Sequence, residues 1–295
     1  MKLKSLMIAC LSTGMALTMS AETADSDDVS APSLSEVSAA PDLWRAVDPE
    51  NLVVMQTSKG RILIELSPEF APRHVTQFKA YVRAGLYDNT PFHRVIKGFM
   101  AQGGDIEDVH GSDKMLPPLE AEFTIRRNPA ELAIDTGEKA SEALDGYFKG
   151  MPVGTQPAWL GEMSKDGLVE SWIPHCPGVL SSARTGDPNS SNAQFFLISE
   201  SGRHLDRDYT AKGRAIEGLD VIQAIKLGPE PNGFPIANPD VLITAKMAAD
   251  IAAAERPKAY VQRTDAPEWR AKLTAASATK TSVCDLPPVP AAIFD

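Results

Sequence analysis

The sequence predicts an all-β core that is capped by two α-helices. Two β-rich runs, "LVVMQT" and "RILIEL", are separated by Ser58-Lys59-Gly60, a spacing that is typical of a hairpin. Between two segments with helical spacing, the chain alternates short apolar runs with Gly, Asn and Pro turns. Because an open sheet of such strands would leave unpaired edges, we expect the strands to close into a barrel.

The two helical segments lie early and late in this core. The first, "APRHVTQFKAYVRAGLY", has Pro72 near its first turn and Gly85 past its end. Its apolar residues fall on one helical face: Val75, Phe78 and Val82. The second, "EGLDVIQAIKLG", is expected to stop at Gly228. Its apolar face consists of Leu219, Ile222 and Ile225. A closing strand, "PDVLITAKM", follows.

The overall composition is that of an ordinary globular protein. The chain has 295 residues, of which 43% are hydrophobic and 23% charged, so it can bury a core. Its formal net charge of −10 argues against a nucleic-acid partner, because binding to a phosphate backbone relies on clustered Lys and Arg. The five histidines show no HExxH or paired short spacing, and no G-x-S-x-G motif occurs. We therefore predict no metal, no other cofactor and no hydrolase site.

The first 21 residues have the pattern of a secretory signal peptide. Lys2 and Lys4 precede the apolar run "SLMIACLSTGMALTMSA", and the acidic "AETADSDD" follows, which predicts cleavage after Ser20 or Ala21. The run is short and interrupted for a membrane span, and no other segment approaches that length. We expect an exported protein, periplasmic or alternatively secreted, with no membrane span in its mature form.

Three segments flank or interrupt the core. Residues 22–48 are rich in Ala, Ser, Asp and Pro without periodicity, which predicts a flexible arm before a core domain over residues 49–250. Residues 128–175 have many Gly and Pro and weak periodicity, which predicts an insertion in a long loop. Residues 251–295 form a C-terminal extension whose first part is compatible with a helix.

Cleavage of the signal peptide would leave two cysteines, Cys176 and Cys284. In an oxidising compartment an even pair favours a disulfide, which would join the extension to the insertion. Two buried, unpaired thiols are the alternative, because the sequence does not show the distance between them.

The stretch "TPFHRVIKGFMAQGGD" combines residue types that suit binding rather than proton transfer. It holds a fixed cation, Arg94, beside apolar side chains and an amide, but no nucleophile–base pair. The alternation in "FHRVI" fits a strand, on which an isolated arginine would face solvent. Two later runs, "ARTGDPNSSNAQFF" and "LDRDYTAKGRAIEGLDVI", each lead from a polar turn into an apolar strand.

Together and in this order, the three runs resemble the cyclophilin family of peptidyl-prolyl cis-trans isomerases, in the form of its bacterial members. "FHRVIKGFMAQGGD" is similar to the family signature almost residue for residue, and the resemblance covers about Leu52 to Lys246 apart from the insertion. It implies an eight-stranded antiparallel β-barrel capped by two helices, with a peptide groove on the outer face. It also implies an isomerase (EC 5.2.1.8 class) that acts on proline-containing unfolded or exported polypeptides.

The resemblance also implies the site residues, by their positions in the three motifs. The implied catalytic residues are Arg94 and Gln102. The implied substrate-binding residues are Phe99, Met100, Ala183, Arg184, Gln194, Phe196, His204, Leu205 and Tyr209.

Four positions depart from the family pattern. His204 stands where the family has its pocket tryptophan, Tyr209 where it has a histidine, and Arg184 where it has an asparagine. Because the tryptophan indole contacts cyclosporin, we expect weak cyclosporin binding, whereas the flat ring of Tyr209 should preserve catalysis. Lys212 replaces an aromatic residue, which predicts looser packing there.

A binding module is the competing interpretation of the same fold. The groove would then serve a catalytically weak chaperone or scaffold that binds proline-containing segments, and His204, Tyr209 and the insertion motivate this alternative. The joint presence of Arg94, Phe99 and Gln102 favours the enzyme.

Overall fold

The structure is a computed structural model that describes residues 32–131, 134–136, 144–279 and 281–295. The predicted signal peptide and the first part of the predicted arm lie outside these residues. Up to residue 127 the helices and strands are α1 (Leu34–Ala39), β1 (Trp44–Ala46), β2 (Leu52–Thr57), β3 (Gly60–Leu66), α2 (Pro72–Arg83), β4 (Thr90–Pro91), β5 (Arg94–Ile96), β6 (Met100–Gly103), α3 (Ile106–His110) and β7 (Ile125–Arg127). The remaining ones are β8 (Asp135–Thr136), β9 (Leu144–Phe148), β10 (Met151–Thr155), α4 (Ala158–Met163), β11 (Val169–Trp172), β12 (Val179–Ser182), β13 (Phe195–Ile198), β14 (Ala211–Glu217), α5 (Leu219–Gln223), β15 (Val241–Met247), β16 (Lys258–Gln262), α6 (Pro267–Ala278) and β17 (Ala291–Phe294).

Nine of these strands form one antiparallel sheet that curls into a barrel. Their order is β4-β15-β2-β3-β14-β12-β13-β6-β5. The two outermost strands, β4 and β5, are separated along the chain only by Phe92 and His93, so the two ends of the sheet lie next to each other. Because β4 and β5 then count as one bent strand, the predicted eight-stranded antiparallel barrel is confirmed.

The β2–β3 hairpin begins the barrel core. Its predicted turn is present, with Thr57 paired to Gly60. Alternate side chains of both strands are completely buried, as period-2 patterning requires: Val53, Met55, Ile62 and Ile64. Burial of each such side chain stabilises the fold by roughly 1.5–3 kcal/mol.

Helix α2 covers one end of the barrel, as its apolar face predicted. The ring of Phe78 lies 5.1 Å from that of Tyr87 and meets the ring of Phe195 edge-on at 5.9 Å. The helix begins at Pro72 and is followed at Gly85 by a φ of +67°, a left-handed conformation that glycine adopts without strain.

Helix α5 is shorter than predicted. It ends at Gln223 rather than near Gly228, because the backbone after it bonds elsewhere: the Gly228 N–H donates to the carbonyl of Val95 (3.0 Å). Two of its three predicted apolar residues remain buried: Ile222 and Ile225.

The insertion is folded, which differs from the long loop that its composition predicted. Five antiparallel strands, β7-β11-β10-β9-β8, form a second sheet, in which β7 lies just before the predicted insertion and the other four lie within it. Some of its glycine has a packing role: a Cβ on Gly154 would lie 2.4 Å from the indole ring of Trp172 on the neighbouring strand. The absence of a side chain at Gly154 therefore leaves room for the Trp172 ring in this sheet. The same glycine weakens the prediction of a strand from sequence.

The N-terminal arm and the C-terminal extension pair with each other. Strand β1 pairs with β16, which pairs with β17. In α1, Val37 is only 1% exposed. Residues 32–48 are thus ordered, unlike the flexible arm expected from composition, because their partners lie in a distant part of the chain: Trp44 is paired with Gln262.

The predicted Cys176–Cys284 disulfide is present. It joins residues that are 108 positions apart, immediately after the insertion and within the extension. Buried residues of the extension, Trp269 and Val283, belong to the same core cluster as Phe196 of the barrel. The insertion and extension therefore share a core with the outer side of the barrel sheet.

Lys212, where looser packing was expected, is enclosed at the barrel end below α2. It is 1% exposed, its Nζ donates to Oγ of Ser182 (3.0 Å), and Nζ lies 4.6 Å from the centre of the Phe78 ring. Burial lowers the pKa of the Lys212 amine to about 7. Near neutral pH the buried amine is therefore only partly protonated, whereas an exposed lysine is fully charged.

We expect the unfolding free energy of the wild type to rise more steeply between about pH 7 and pH 10 than that of Lys212→Met. In this window the unfolded chain, with an ordinary lysine pKa of 10.5, binds more protons than the folded chain, so raising the pH favours folding. Methionine has a similar length and no charge. Urea unfolding of both proteins across this range measures the difference, and parallel pH dependences would contradict the buried-amine interpretation.

Candidate active site

Three neighbouring strands carry the centre of the site on the outer face of the barrel. Arg94 in β5 is paired with Gln102 in β6, and Gln102 is paired with Phe196 in β13. Directly paired residues project from the same face of a sheet, and residues one position along project from the other. Val95 and Ala101 belong to the barrel core. Arg94, Gln102 and Phe196 therefore project outward together.

Hydrogen bonds hold the guanidinium of Arg94 in one orientation. Its Nη1 donates to Oε1 of Gln102 (3.1 Å), and its Nε donates to the backbone carbonyl of Asn232 (3.1 Å). The Gln102 amide in turn donates through Nε2 to Oε1 of Gln194 (2.8 Å). Because Nη2 takes part in neither arginine bond, a preorganised donor remains for a substrate.

A cavity of about 300 Å³ lies beside this guanidinium. Its lining contains ten of the residues that the motifs predicted: Arg94, Phe99, Met100, Gln102, Ala183, Arg184, Phe196, His204, Leu205 and Tyr209. The eleventh, Gln194, lies behind Gln102 and orients its amide. The structure thus brings all of the predicted site residues together.

Aromatic rings form most of the apolar wall. Phe196, which is 5% exposed, meets the ring of Tyr209 edge-on at 5.7 Å. Opposite, the ring of His204 lies 5.1 Å from that of Phe99. His204 thus takes a ring–ring contact at the position where the family has its tryptophan. Leu205 packs with the same core cluster as Phe196, so the wall continues into the protein interior.

Arg184 and Tyr209, two of the departures from the family pattern, contact each other. The Arg184 guanidinium lies 4.4 Å from the centre of the Tyr209 ring and forms an ion pair with Asp208 (2.8 Å). Such a stack over an aromatic face is favourable by roughly 0.5–1 kcal/mol at exposed sites. The arginine that replaces the groove-edge asparagine therefore supports one wall of the cavity.

A group of residues behind the pocket was not predicted from the sequence. We call Asp145, His175, Arg203, Asp206 and Ser282 the support cluster. Burial alone would raise the pKa of Asp206, but hydrogen bonds from His175 and Arg203 outweigh it and lower that pKa. Two members flank the predicted pocket residues His204 and Leu205 at the start of the third motif, which was the available signal: Arg203 just before it and Asp206 within it.

The arrangement suits electrostatic and steric action on a bound peptide. Burial lowers the pKa of His93, the histidine beside Arg94, and so favours its neutral form.

Among the described residues, no group of three or more His, Cys, Asp or Glu is placed to hold a metal ion. None of the helices in the described ranges is long and apolar enough to cross a membrane.

A family model described as cyclophilin type peptidyl-prolyl cis-trans isomerase matches residues 52–246. The chain is a cyclophilin. A probable peptidyl-prolyl cis-trans isomerase of Brucella suis is 34% identical over 209 residues, which are 70% of this chain and 86% of that protein. The isomerase cyp18 of Streptomyces antibioticus is 32% identical over 182 residues, 59% of this chain and 82% of that protein.

Among solved structures, the cyclophilin AquaCyp293 from Hirschia baltica matches with a TM-score of 0.83 and 43% identity, covering 89% of this chain and 98% of that one. The likeness therefore extends beyond residues 52–246 of this cyclophilin. As a member of this family, the protein is a peptidyl-prolyl isomerase of the EC 5.2.1.8 class, and proline-containing peptides are its class of substrate.

Proposed function

We propose that this cyclophilin accelerates rotation of Xaa–Pro bonds in exported polypeptides, with Arg94 donating a hydrogen bond to the prolyl nitrogen. The observation that carries this proposal is the guanidinium of Arg94, which is held by Gln102 and Asn232 at the edge of an apolar cavity.

The reaction requires a donor rather than a base. Rotation about the peptide bond has a barrier of about 18–20 kcal/mol because twisting breaks amide resonance. In the twisted transition state the nitrogen lone pair is localised and can accept a hydrogen bond. A fixed guanidinium therefore binds the transition state more strongly than the planar ground state, which is the condition for acceleration.

The other residues hold the substrate while the bond turns. The apolar wall contacts the pyrrolidine ring, and its members are Phe99, Met100, Phe196, Leu205 and Tyr209. Gln102 binds the substrate backbone, and Ala183 and Arg184 border the groove. Exclusion of water by the wall strengthens the field of Arg94 in the cavity. Since His204 replaces the indole donor of the family tryptophan, cyclosporin binding is weak.

Two observations support an exported location. The first 21 residues have the pattern of a signal peptide, and the mature chain carries a disulfide, which persists in oxidising compartments. We infer a periplasmic protein whose clients are proline-containing exported polypeptides. Mass spectrometry of the protein recovered from periplasm and medium tests this, because an uncleaved chain confined to the cytoplasm would contradict it.

The decisive experiment measures isomerisation by residues 22–295. NMR exchange spectroscopy on a short Ala-Pro peptide should show accelerated cis–trans exchange, against tens of seconds without enzyme. Because no step moves a proton, kcat/KM should vary by no more than about twofold between pH 6 and pH 8. Peptide binding without turnover would instead support the scaffold alternative, and a bell-shaped pH profile would indicate a different mechanism.

A further inference from the structure

We propose that Arg203 is a positioning residue of the proline pocket, through which the insertion and the C-terminal extension act on isomerisation. This inference rests on the proposed function, since it concerns the same pocket. It assigns a catalytic purpose to two segments that lie outside the groove.

The turn that carries two pocket residues is held locally by backbone hydrogen bonds within residues 202–209. His204 and Leu205 lie in a single 3₁₀ turn, residues Arg203–Leu205, between β13 and β14. Its local bonds include Leu205 N–H to the Gly202 carbonyl (2.9 Å) and Asp206 N–H to the Arg203 carbonyl (3.0 Å). A short turn on the barrel surface is mobile unless other elements hold it.

Arg203 joins this turn to both additional segments. Its Nη1 and Nη2 donate to the two carboxylate oxygens of Asp145 in the insertion (2.5 and 3.0 Å), a bidentate geometry that also fixes orientation. Nη1 also donates to Oγ of Ser282 in the extension (2.8 Å). Nε donates to Oδ2 of Asp206 on the turn itself (3.0 Å). One guanidinium thus contacts three separate parts of the chain.

A second set of contacts links the same turn to the pocket wall. The backbone N–H of His175 donates to Oδ1 of Asp206 (2.8 Å), and the His175 carbonyl accepts from Gly202 (2.8 Å). The imidazole of His175 stacks on Phe196, with ring centres 6.0 Å apart and planes within 16°. Displacement of the turn would therefore also disturb the ring that faces the substrate.

The disulfide closes this set of contacts into a loop. Cys176 directly follows His175 and is bonded to Cys284. Cys284 directly follows Val283, whose N–H donates to the Asp145 carboxylate (3.1 Å). The carboxylate of Asp145 that binds Arg203 is therefore itself held by the extension. Through Arg203, the extension also fixes the position of the turn.

The burial of the cluster makes these contacts stronger than ordinary surface ion pairs. The side chains of Arg203, Asp145 and Asp206 are 32%, 26% and 13% exposed, whereas the pair Arg126–Asp166, elsewhere in the second sheet and its loops, is 48% and 46% exposed. Exposed ion pairs contribute little to stability.

A displacement of about 1 Å in groups that hold a substrate can lower a rate by up to about 10². Loss of Arg203 should lower kcat/KM by about tenfold.

Four variants and a matched control test the proposal, the fourth variant being the conservative Arg203→Lys. Arg203→Gln, Asp145→Asn and the double variant are compared with wild type for kcat, KM and thermal stability, all well below the unfolding temperature. Arg126→Gln, which breaks the exposed pair between β7 and Asp166 of the insertion, is the control. We expect about tenfold lower kcat/KM in Arg203→Gln, no further loss in the double variant, partial rescue in Arg203→Lys, and no change in the control.

The amide NMR signals of His204 and Leu205 give a second readout. They should shift or broaden in Arg203→Gln and Asp145→Asn, and remain unchanged in Arg126→Gln. Unchanged signals and unchanged kcat/KM, with only a lower unfolding temperature, would show that the cluster is structural and would overturn the proposal. If wild type itself shows no turnover, the proposed function fails, whereas peptide affinity and these amide signals still decide the role of Arg203.

Discussion

Arg94→Ala is expected to lower kcat/KM for Xaa–Pro isomerisation by on the order of 10²–10³, the loss that follows removal of one preorganised donor from a transition state. The structure shows why no neighbour replaces it. Gln102 accepts a hydrogen bond from Arg94 and donates to Gln194, and its neutral amide lacks the charge that a guanidinium directs at the prolyl nitrogen. NMR exchange rates measured at several enzyme concentrations give the value.

Peptide affinity separates this prediction from general damage to the groove. The apolar wall does not include the guanidinium, so Arg94→Ala should bind a proline peptide within a few-fold of wild type, and its loss should appear mainly in kcat. Arg126→Ala, which removes an exposed arginine of β7, is the matched control and should retain activity. Full turnover by Arg94→Ala would refute the proposed mechanism.

Removal of the disulfide produces the second large effect. The variant Cys176→Ala/Cys284→Ala should lose about 2–4 kcal/mol of unfolding free energy, because a cross-link over 108 residues restricts the unfolded chain. Guanidinium unfolding monitored by circular dichroism measures this change, provided that the transition is two-state.

Wild type under reducing conditions is the control for the disulfide variant, since it lacks the bond but keeps both side chains. The two should unfold at similar denaturant concentrations, which would assign the loss to the cross-link rather than to the missing sulfur atoms. Stability of the reduced protein equal to that of the oxidised one would show that the extension is held by packing alone.

Local patterns were sufficient for the barrel and for the membership of the site. The hairpin at Ser58-Lys59-Gly60 and helix α2 follow from periodicity and turn chemistry, which act between near neighbours. The three motifs contained every residue that now lines the cavity except His204, which directly precedes the third motif. Even the pairing of Arg94 with Gln102 across two strands depends on residues that are close in sequence, because the tight β5–β6 hairpin sets the register.

The segments outside the motifs were less predictable, for a different reason in each case. Strand β1 becomes ordered by pairing with β16, more than 200 residues away, as in Trp44 with Gln262. In the insertion, Gly154 weakens a strand signal, although Trp172 requires it there. Lys212 violates the rule that lysine is exposed, and only the enclosing atoms show how its amine is accommodated.

The amino-acid sequence alone therefore determined the family of this protein and predicted its site: a fixed cation, an amide and apolar rings at motif positions typical of a cyclophilin. Tertiary structure decided how those groups are held. The stacking of Arg184 on Tyr209 and the bonds of Arg203 to Asp145 and Ser282 join side chains from separate segments. Contacts between such distant positions leave no periodic pattern and no composition bias in the sequence, because they form only when folding brings the segments together.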